Sequence, residues 1–554
     1  MRSSPDQKRA LAMRVIVLFA LAASLADAQT PTALWNFAGT AGERLGNSVD
    51  GGHDVDGDGR PDVIVGSSNS SVGGPTFGTA RVLSGSTGAV IWILHGPATG
   101  SGFGTRVAML GDLDLDGRAD FAVSAPGDAT GGAGAGSVRA YSGMTGSLLF
   151  TVLGSPGLGY GSQLAAVGDV DLDGVPDFVV AASTSTAVPG RVELVSGATQ
   201  ALIVPAFVGT AGQRLGTQLA GRGDANGDGV RDFLVAAAIG TSGGPSVYVR
   251  SGSDGSLLTT HALGSLDTLH SIAFVGDVNQ DGRDDYAIST AAGSALSQIR
   301  SGANGSLLAS WTPIGAEIFA TAGDVNGDCI QDLVTLELTG LLNATVNLIA
   351  RSGTSGAVLA QLTGVTLNAA VSPTKGYSIA GVGDADGDGH PDVVVASRED
   401  SPFVGTNVGF ARLYDLGFTG APPRVTRSGI ACLGSAGNRI RAYLTGCPRL
   451  SQSVGFAARN ALASTPVVMN LGMPAAIPLT ALGMTGCTAY ATTDGFNIFT
   501  SSDGAGVANI GPFIVPNVPA IIGLAMAFQT VAVDSLANPA GLVASDRIEF
   551  RFGD

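Results

Sequence analysis

Three observations predict an all-β chain whose main body is a seven-bladed β-propeller. An aspartate-rich nonapeptide returns seven times, an apolar strand follows each copy, and turn-forming glycine runs through the whole length. Of 554 residues, 45% are hydrophobic, enough for a large packed core. The 83 glycines have no three-residue period, which excludes collagen. Runs rich in Ala, Glu, Lys and Leu at helical spacing are missing.

The elements follow in chain order. Residues 1–28 read as a secretory signal: Arg2, Lys8, Arg9 and Arg14, then apolar Val15 to Leu25, then Ala26-Asp27-Ala28. The apolar run is too short to span a bilayer comfortably. The expectation is a mature chain from Gln29, secreted or at the cell surface, with no transmembrane segment after cleavage. Export permits disulfides. Cys329, Cys432, Cys447 and Cys487 allow three full pairings, and the short turn-rich stretch favours Cys432–Cys447. Without the leader, 43 acidic and 25 basic residues give a net charge of −18, which argues against nucleic acid as a partner.

The propeller is expected over 29–417. Its nonapeptides are DVDGDGRPD from Asp54, DLDLDGRAD from Asp112, DVDLDGVPD from Asp169, DANGDGVRD from Asp224, DVNQDGRDD from Asp277, DVNGDCIQD from Asp324 and DADGDGHPD from Asp384, spaced 47 to 60 residues apart. Behind each stands a strand such as VIVGSS or FVVAAS. A strand ending at Ser-Gly, a turn and another strand follow, as in ARVLSGSTGAVIWIL. A small–Gly element and an apolar stretch, as in GFGTRVAMLGD, lead into the next copy. That makes four short strands per unit. The seventh unit lacks its last strand, and a stretch of that type begins instead at Ala33. The N-terminal segment should therefore complete the last blade and close the ring, leaving no open sheet edge.

These units resemble FG-GAP repeats, the blades of integrin-α-type propellers. Phe103-Gly104 and Ala125-Pro126 stand for the two halves of that name in the second unit. Leu45-Gly46 and Tyr160-Gly161 replace Phe-Gly elsewhere, and units five and six have lost it. The resemblance covers Thr32 to Gly417, about 70% of the chain. It implies that the loop joins the first two strands of a blade and that its calcium is structural.

The loop chemistry points the same way. Calcium takes six to eight oxygen ligands. Side chains at positions 1, 3, 5 and 9 and a backbone carbonyl at position 7 supply oxygens, while glycine at position 6 allows the sharp turn. The expected ligands are Asp54, Asp56, Asp58, Arg60 and Asp62 in loop one; Asp112, Asp114, Asp116, Arg118 and Asp120 in loop two; and Asp169, Asp171, Asp173, Val175 and Asp177 in loop three. Loop four offers Asp224, Asn226, Asp228, Val230 and Asp232; loop five offers Asp277, Asn279, Asp281, Arg283 and Asp285. Loop six offers Asp324, Asn326, Asp328, Ile330 and Asp332; loop seven offers Asp384, Asp386, Asp388, His390 and Asp392. The asparagines keep an oxygen and lose a charge, so loops four to six should bind more weakly. Cys329 replaces the turn glycine of loop six and should make that site the poorest. Twenty-five aspartates sit at these positions, and seven Ca²⁺ would move the net charge from −18 to −4. An EF-hand would need flanking helices and Glu at position 12, where Val65, Val123 and Val180 stand.

Other motifs are discounted. Arg222-Gly223-Asp224 is an adhesion tripeptide, but Asp224 opens calcium loop four. Gly240 to Gly244 fits G-x-S-x-G without a following helix or ordered partners. The histidines at 53, 95, 261, 270 and 390 are scattered, and Trp35, Trp92 and Trp311 look like core.

Residues 418–429, centred on Pro422-Pro423, read as a linker, and 430–554 as a small β-sandwich-like domain with no assignable chemistry. Within it Ala520 to Phe528 reads as a buried strand. The chain as a whole reads as a calcium-stabilised scaffold for extracellular binding or adhesion, its protein or glycan ligand unidentified. A polysaccharide- or lipid-degrading enzyme would need Tyr, His, Arg or Lys clustered over the axis. Aromatics make up only 6% of the chain and Lys occurs twice. A lectin would need Trp or Tyr once per blade.

Overall fold

A computed structural model describes residues 31–71, 77–183, 189–239, 243–291, 296–313, 316–339, 345–365, 377–398 and 408–416, apart from 327, 329 and 389. Between 424 and 551 it describes eleven strands, with 464 and 502. The expected leader and all four cysteines, with the disulfide and the strain expected at Cys329, lie outside the described residues.

Seven four-stranded antiparallel sheets occupy 48–95, 107–153, 163–208, 215–262, 268–311, 316–365, and 377–415 joined by 32–38. They form a seven-bladed β-propeller. The first strands of neighbouring blades touch one another around the whole ring, so they line its axis. In blade one the strands are Ser48–His53, Asp62–Ser67, Thr79–Leu83 and Val90–His95, in that order from the axis outward.

The second strands are buried from end to end in blades one to four and seven. Side chains alternate across a strand, so each second strand feeds two junctions. Val63 and Val65 pack against blade seven, while Ile64 between them packs against blade two. Phe121 and Val123 likewise face blade one, and Ala122 faces blade three. Among the described residues the apolar core is thus divided into clusters between adjacent blades, one at each of the seven junctions. Apolar runs such as VIV arise because both faces of these strands are covered.

The N-terminal strand Thr32–Ala38 pairs antiparallel with Phe410–Asp415, as the sequence predicts. Trp35 of that strand donates Nε1–H to the Gly85 carbonyl of blade one at 2.7 Å and covers Gly88. One departure stands out in blade three, whose fourth strand shrinks to Phe207–Val208. Other blades have glycine at φ +67° to +73° in the preceding turn, at Gly88, Gly146, Gly255, Gly305 and Gly356. Blade three has Gln200 there at φ +59°, and Pro205 further on lacks a ladder donor.

The C-terminal strands form antiparallel sheets of six, three and two strands. Arg424–Ser428, inside the stretch read as a linker, pairs with Arg547–Arg551. The strand expected over Ala520 to Phe528 runs Ala525–Val533, and its Phe528 is buried.

Candidate metal centres

Each aspartate loop joins the first strand of its blade to the second, so all seven lie on one face of the ring. The ninth residue opens the second strand. Asp62, Asp120, Asp177, Asp232, Asp285, Asp332 and Asp392 are each 0% exposed. Their Oδ2 atoms accept the N–H at loop position 2, at 2.7 to 3.0 Å. In blades one to six Oδ1 accepts the N–H of Gly85, Gly143, Gly197, Gly252, Gly302 or Gly353, at 2.7 to 3.0 Å. These glycines begin the turn between the third and fourth strands. The ninth aspartate therefore ties the loop to that turn.

The rest of each loop is a ladder of side-chain acceptors. The first aspartate's Oδ2 accepts the N–H of Gly59, Gly117, Gly174, Gly229 or Gly282 at 2.7 to 3.0 Å. These glycines sit at φ +84° to +97°, where a side chain is strained. In all seven loops Oδ1 of the third residue accepts the N–H of the fifth, at 2.8 to 3.2 Å. Oδ1 of the fifth accepts the N–H of the seventh, at 2.7 to 3.0 Å. The ninth aspartate's Oδ2 also accepts the N–H at position 3, at 3.2 to 3.4 Å, and so is filled by backbone donors, while Oδ1 of the third and fifth residues each keeps a second lone pair for a cation.

Carboxylates converge in four loops. Oxygens of Asp54, Asp56 and Asp58 lie within 4.8 Å of one another, as do those of Asp112, Asp114 and Asp120, of Asp169, Asp171 and Asp177, and of Asp384, Asp386 and Asp392. In loops four to six an asparagine holds position 3. The Nδ2 groups of Asn226, Asn279 and Asn326 donate to Oδ2 of Asp228, Asp281 and Asp328 at 2.9 to 3.1 Å, so the third residue occupies a lone pair of the fifth.

The electrostatics fit a hard cation. Burial pushes Asp62 and Asp120 up to about 6, Asp177, Asp285 and Asp332 to about 7, and Asp232 and Asp392 to about 8. A divalent cation among them would favour the charged forms. Oδ1 of Asp169 and Oδ1 of Asp392 are buried without a hydrogen-bond partner. An all-oxygen donor set suits calcium or magnesium better than zinc or copper.

The side chains expected at positions 1, 3, 5 and 9 all lie in these loops. The seventh residues, Arg60, Arg118, Val175, Val230, Arg283, Ile330 and His390, are held by their N–H groups as described. Sequence reasoning missed the Ser-Gly turn as the loop's fastener. The signal was present, since Ser-Gly closes the third strand in six units. The serine after that glycine also contributes, with Ser86 donating to Asp58 Oδ2 at 2.8 Å and Ser253 to Asp228 Oδ2 at 3.2 Å.

Gly240 to Ser242 of the G-x-S-x-G match lie outside the described residues, and the other discounted motifs are engaged structurally. Arg222 donates to the Met109 carbonyl and lies 3.7 Å from Asp50, so it reaches across the axis to blades two and one. Asp224 accepts loop N–H groups from Gly227 and Gly229. Burial and Arg222 hold His53 down at about 3. Trp92 donates to the Gly143 carbonyl at 2.8 Å and Trp311 to Glu317 at 3.0 Å, so both bridge to the next blade.

Fold and loops together define the class of protein. Residues 45–83 and 103–141 match the FG-GAP repeat model, and 224–288 match the FG-GAP-like repeat model. The chain carries FG-GAP repeats arranged as a seven-bladed β-propeller. Among curated proteins it is similar to integrin alpha-IIb of Homo sapiens, 35% identical over 145 residues. That match covers 23% of this chain and 14% of the relative's length. Solved structures similar to it include BBS1N in complex with ARL6DN. The crystal soaked with mercury gives TM-score 0.44, 10% identity and coverage of 70% of this chain and 98% of that chain. The crystal soaked with lead gives TM-score 0.41, 10% identity, 71% and 98%. Among the described residues no helix is long and apolar enough to cross a membrane.

Proposed function

We propose that this chain is a secreted or cell-surface scaffold whose propeller is stabilised by structural Ca²⁺ and binds an extracellular protein or glycan. The observation that carries the reading is the convergence of three carboxylate oxygens within 4.8 Å in the loops of four separate blades, from positions 1, 3 and 5 in loop one and 1, 3 and 9 in the other three. Carboxylates gathered so tightly repel one another unless a cation sits among them. The ions act as clamps between strands one and two and the neighbouring turn. Similarity to integrin alpha-IIb supports an extracellular, protein-binding role. Residues 1–28 serve as the leader, and the expected linker 418–429 gives up Arg424–Ser428 to the separate β domain that continues through 430–554.

The test is thermal unfolding of the mature protein with calcium and with chelator, plus metal content after dialysis. The expected result is about five to seven Ca²⁺ per chain and a large fall in Tm on chelation, as binding to the folded state alone requires. A metal-free protein that melts identically in both buffers would overturn the reading.

A further inference from the structure

Position 4 of the metal loop holds glycine in some blades and a larger residue in others. Backbone conformation does not account for this. Gly57, Gly227 and Gly387 sit at φ +72° to +79°, and Leu115, Leu172 and Gln280 occupy the same left-handed region at +59° to +65°. The next blade accounts for it. A Cβ at Gly57 would overlap the guanidinium of Arg118, position 7 of the following loop. At Gly387 it would overlap the guanidinium of Arg60, which also donates to the Ala385 carbonyl at 3.4 Å. At Gly227 it would press on the Gly282 carbonyl at 3.2 Å and touch the Arg283 stem, Cγ at 3.4 Å, without overlap.

The pairing holds at six of the seven junctions. Where position 4 is Leu115, Leu172 or Gln280, position 7 of the next loop is Val175, Val230 or Ile330. Glycine meets arginine at three junctions, and a larger residue meets an aliphatic one at three more. The remaining junction pairs Gly327, outside the described residues, with His390. Two of the arginine junctions carry a second link. The N–H of Ala119 reaches the carbonyl of Asp54 at 3.0 Å, and that of Asp284 reaches Asp224 at 2.8 Å.

We propose that Arg60, Arg118 and Arg283 are positioning residues that clasp the metal loop of the preceding blade. Loops seven, one and two then respond to metal as one linked unit and loops four and five as another, while loop three has no such clasp on either side. The guanidiniums of Arg118 and Arg60 lie over the turn between ligand positions 3 and 5, and at Gly227 the stem of Arg283 does, so each arginine places positive charge between two acidic loops. Its own backbone closes the following loop, through the N–H of Arg118 on Asp116 at 2.8 Å, for example. Ordering one loop therefore orders the neighbour's clasp. The linkage rests on the calcium reading above; the clasp itself does not.

The experiment uses the full mature chain as G57L, R118V and G57L/R118V. The double variant recreates the Leu115/Val175 pairing. Readouts are Tm in chelator and hydrogen exchange of residues 54–62, 112–120 and 169–177 across a calcium titration. G57L should lower Tm with Arg118 present, and adding R118V should restore most of the loss. R118V alone should weaken calcium-dependent protection of 54–62 at least about fivefold, a typical size for coupling between sites, and leave 169–177 unchanged. R283V, read at 224–232, repeats the test at an independent junction. G57L tolerated beside Arg118, or a double variant no better than G57L, would overturn the clasp. R118V changing only its own loop, 112–120, would overturn the linkage. Absence of calcium protection at any wild-type loop would sink the calcium reading and the linkage, and the chelator rescue would still decide the clasp.

Discussion

Asp62 and Asp56 are both aspartates of one loop, yet they do different work. Asp62 is fully buried and accepts N–H groups from Val55, Asp56 and Gly85 at 2.7, 3.2 and 2.9 Å. Asp56 is exposed and accepts the N–H of Asp58. Removing a buried acceptor strands its donors. Asp62→Ala should therefore cost about 3 kcal/mol even in chelator, measured by denaturant unfolding. Asp56→Ala should cost less than about 0.5 kcal/mol in chelator and should lower stability only when calcium is present. A histidine provides a second test. Burial, reinforced by Arg300, holds His261 down at about 4, below its ordinary 6.5. A depressed histidine stays neutral in the folded state while the unfolded one charges. Its contribution is thus complete above about pH 6.5 and is lost as pH falls toward 4. With five histidines in the chain, NMR of histidine-labelled protein should find one titrating near 4, absent in His261→Gln.

Loop, turn and strand act together at the scale of the element. The loop's partner turn lies 17 to 23 residues downstream, so a blade is fastened by a side chain that spans three strands. The fourth strand is fastened across the junction, where Trp35 and Trp92 each pack on a turn glycine of the next blade, Gly88 and Gly146. Trp35→Ala removes a side chain only 9% exposed together with its hydrogen bond to Gly85. It should cost about 3 to 5 kcal/mol by denaturant unfolding. The apolar periodicity, the Ser-Gly closures and the Asp-Gly loops were legible because each is local. The shrunken fourth strand of blade three was less so, since Gln200 matters only where the turn demands a left-handed residue.

Closure is the property of the whole molecule. The seven first strands meet around the axis, and the last blade borrows its outer strand from the chain's beginning. Without Thr32–Ala38, blade seven would have three strands and expose the edge of Phe410–Asp415. A chain starting after Ala38 should melt lower by more than about 5 °C and associate through that edge, seen by calorimetry and size-exclusion chromatography. Arg222 adds a further tie by joining blade four to blades one and two across the axis.

The sequence by itself determined the number of blades, the order of strands within each, the closure by the N-terminal strand and the position of every acidic loop. These are repeated, short-range patterns, and repetition makes a weak local signal unambiguous. Only the tertiary structure decided what each loop touches. It showed that the ninth aspartate is fastened to a turn, that Arg118 lies on Gly57 and Arg60 on Gly387, and that the adhesion-like Arg222 is spent on the axis. It also paired Arg424–Ser428 with Arg547–Arg551, more than a hundred residues apart. Contacts of that kind depend on how neighbouring blades are set against one another, and a linear pattern carries no record of that geometry until the ring has closed.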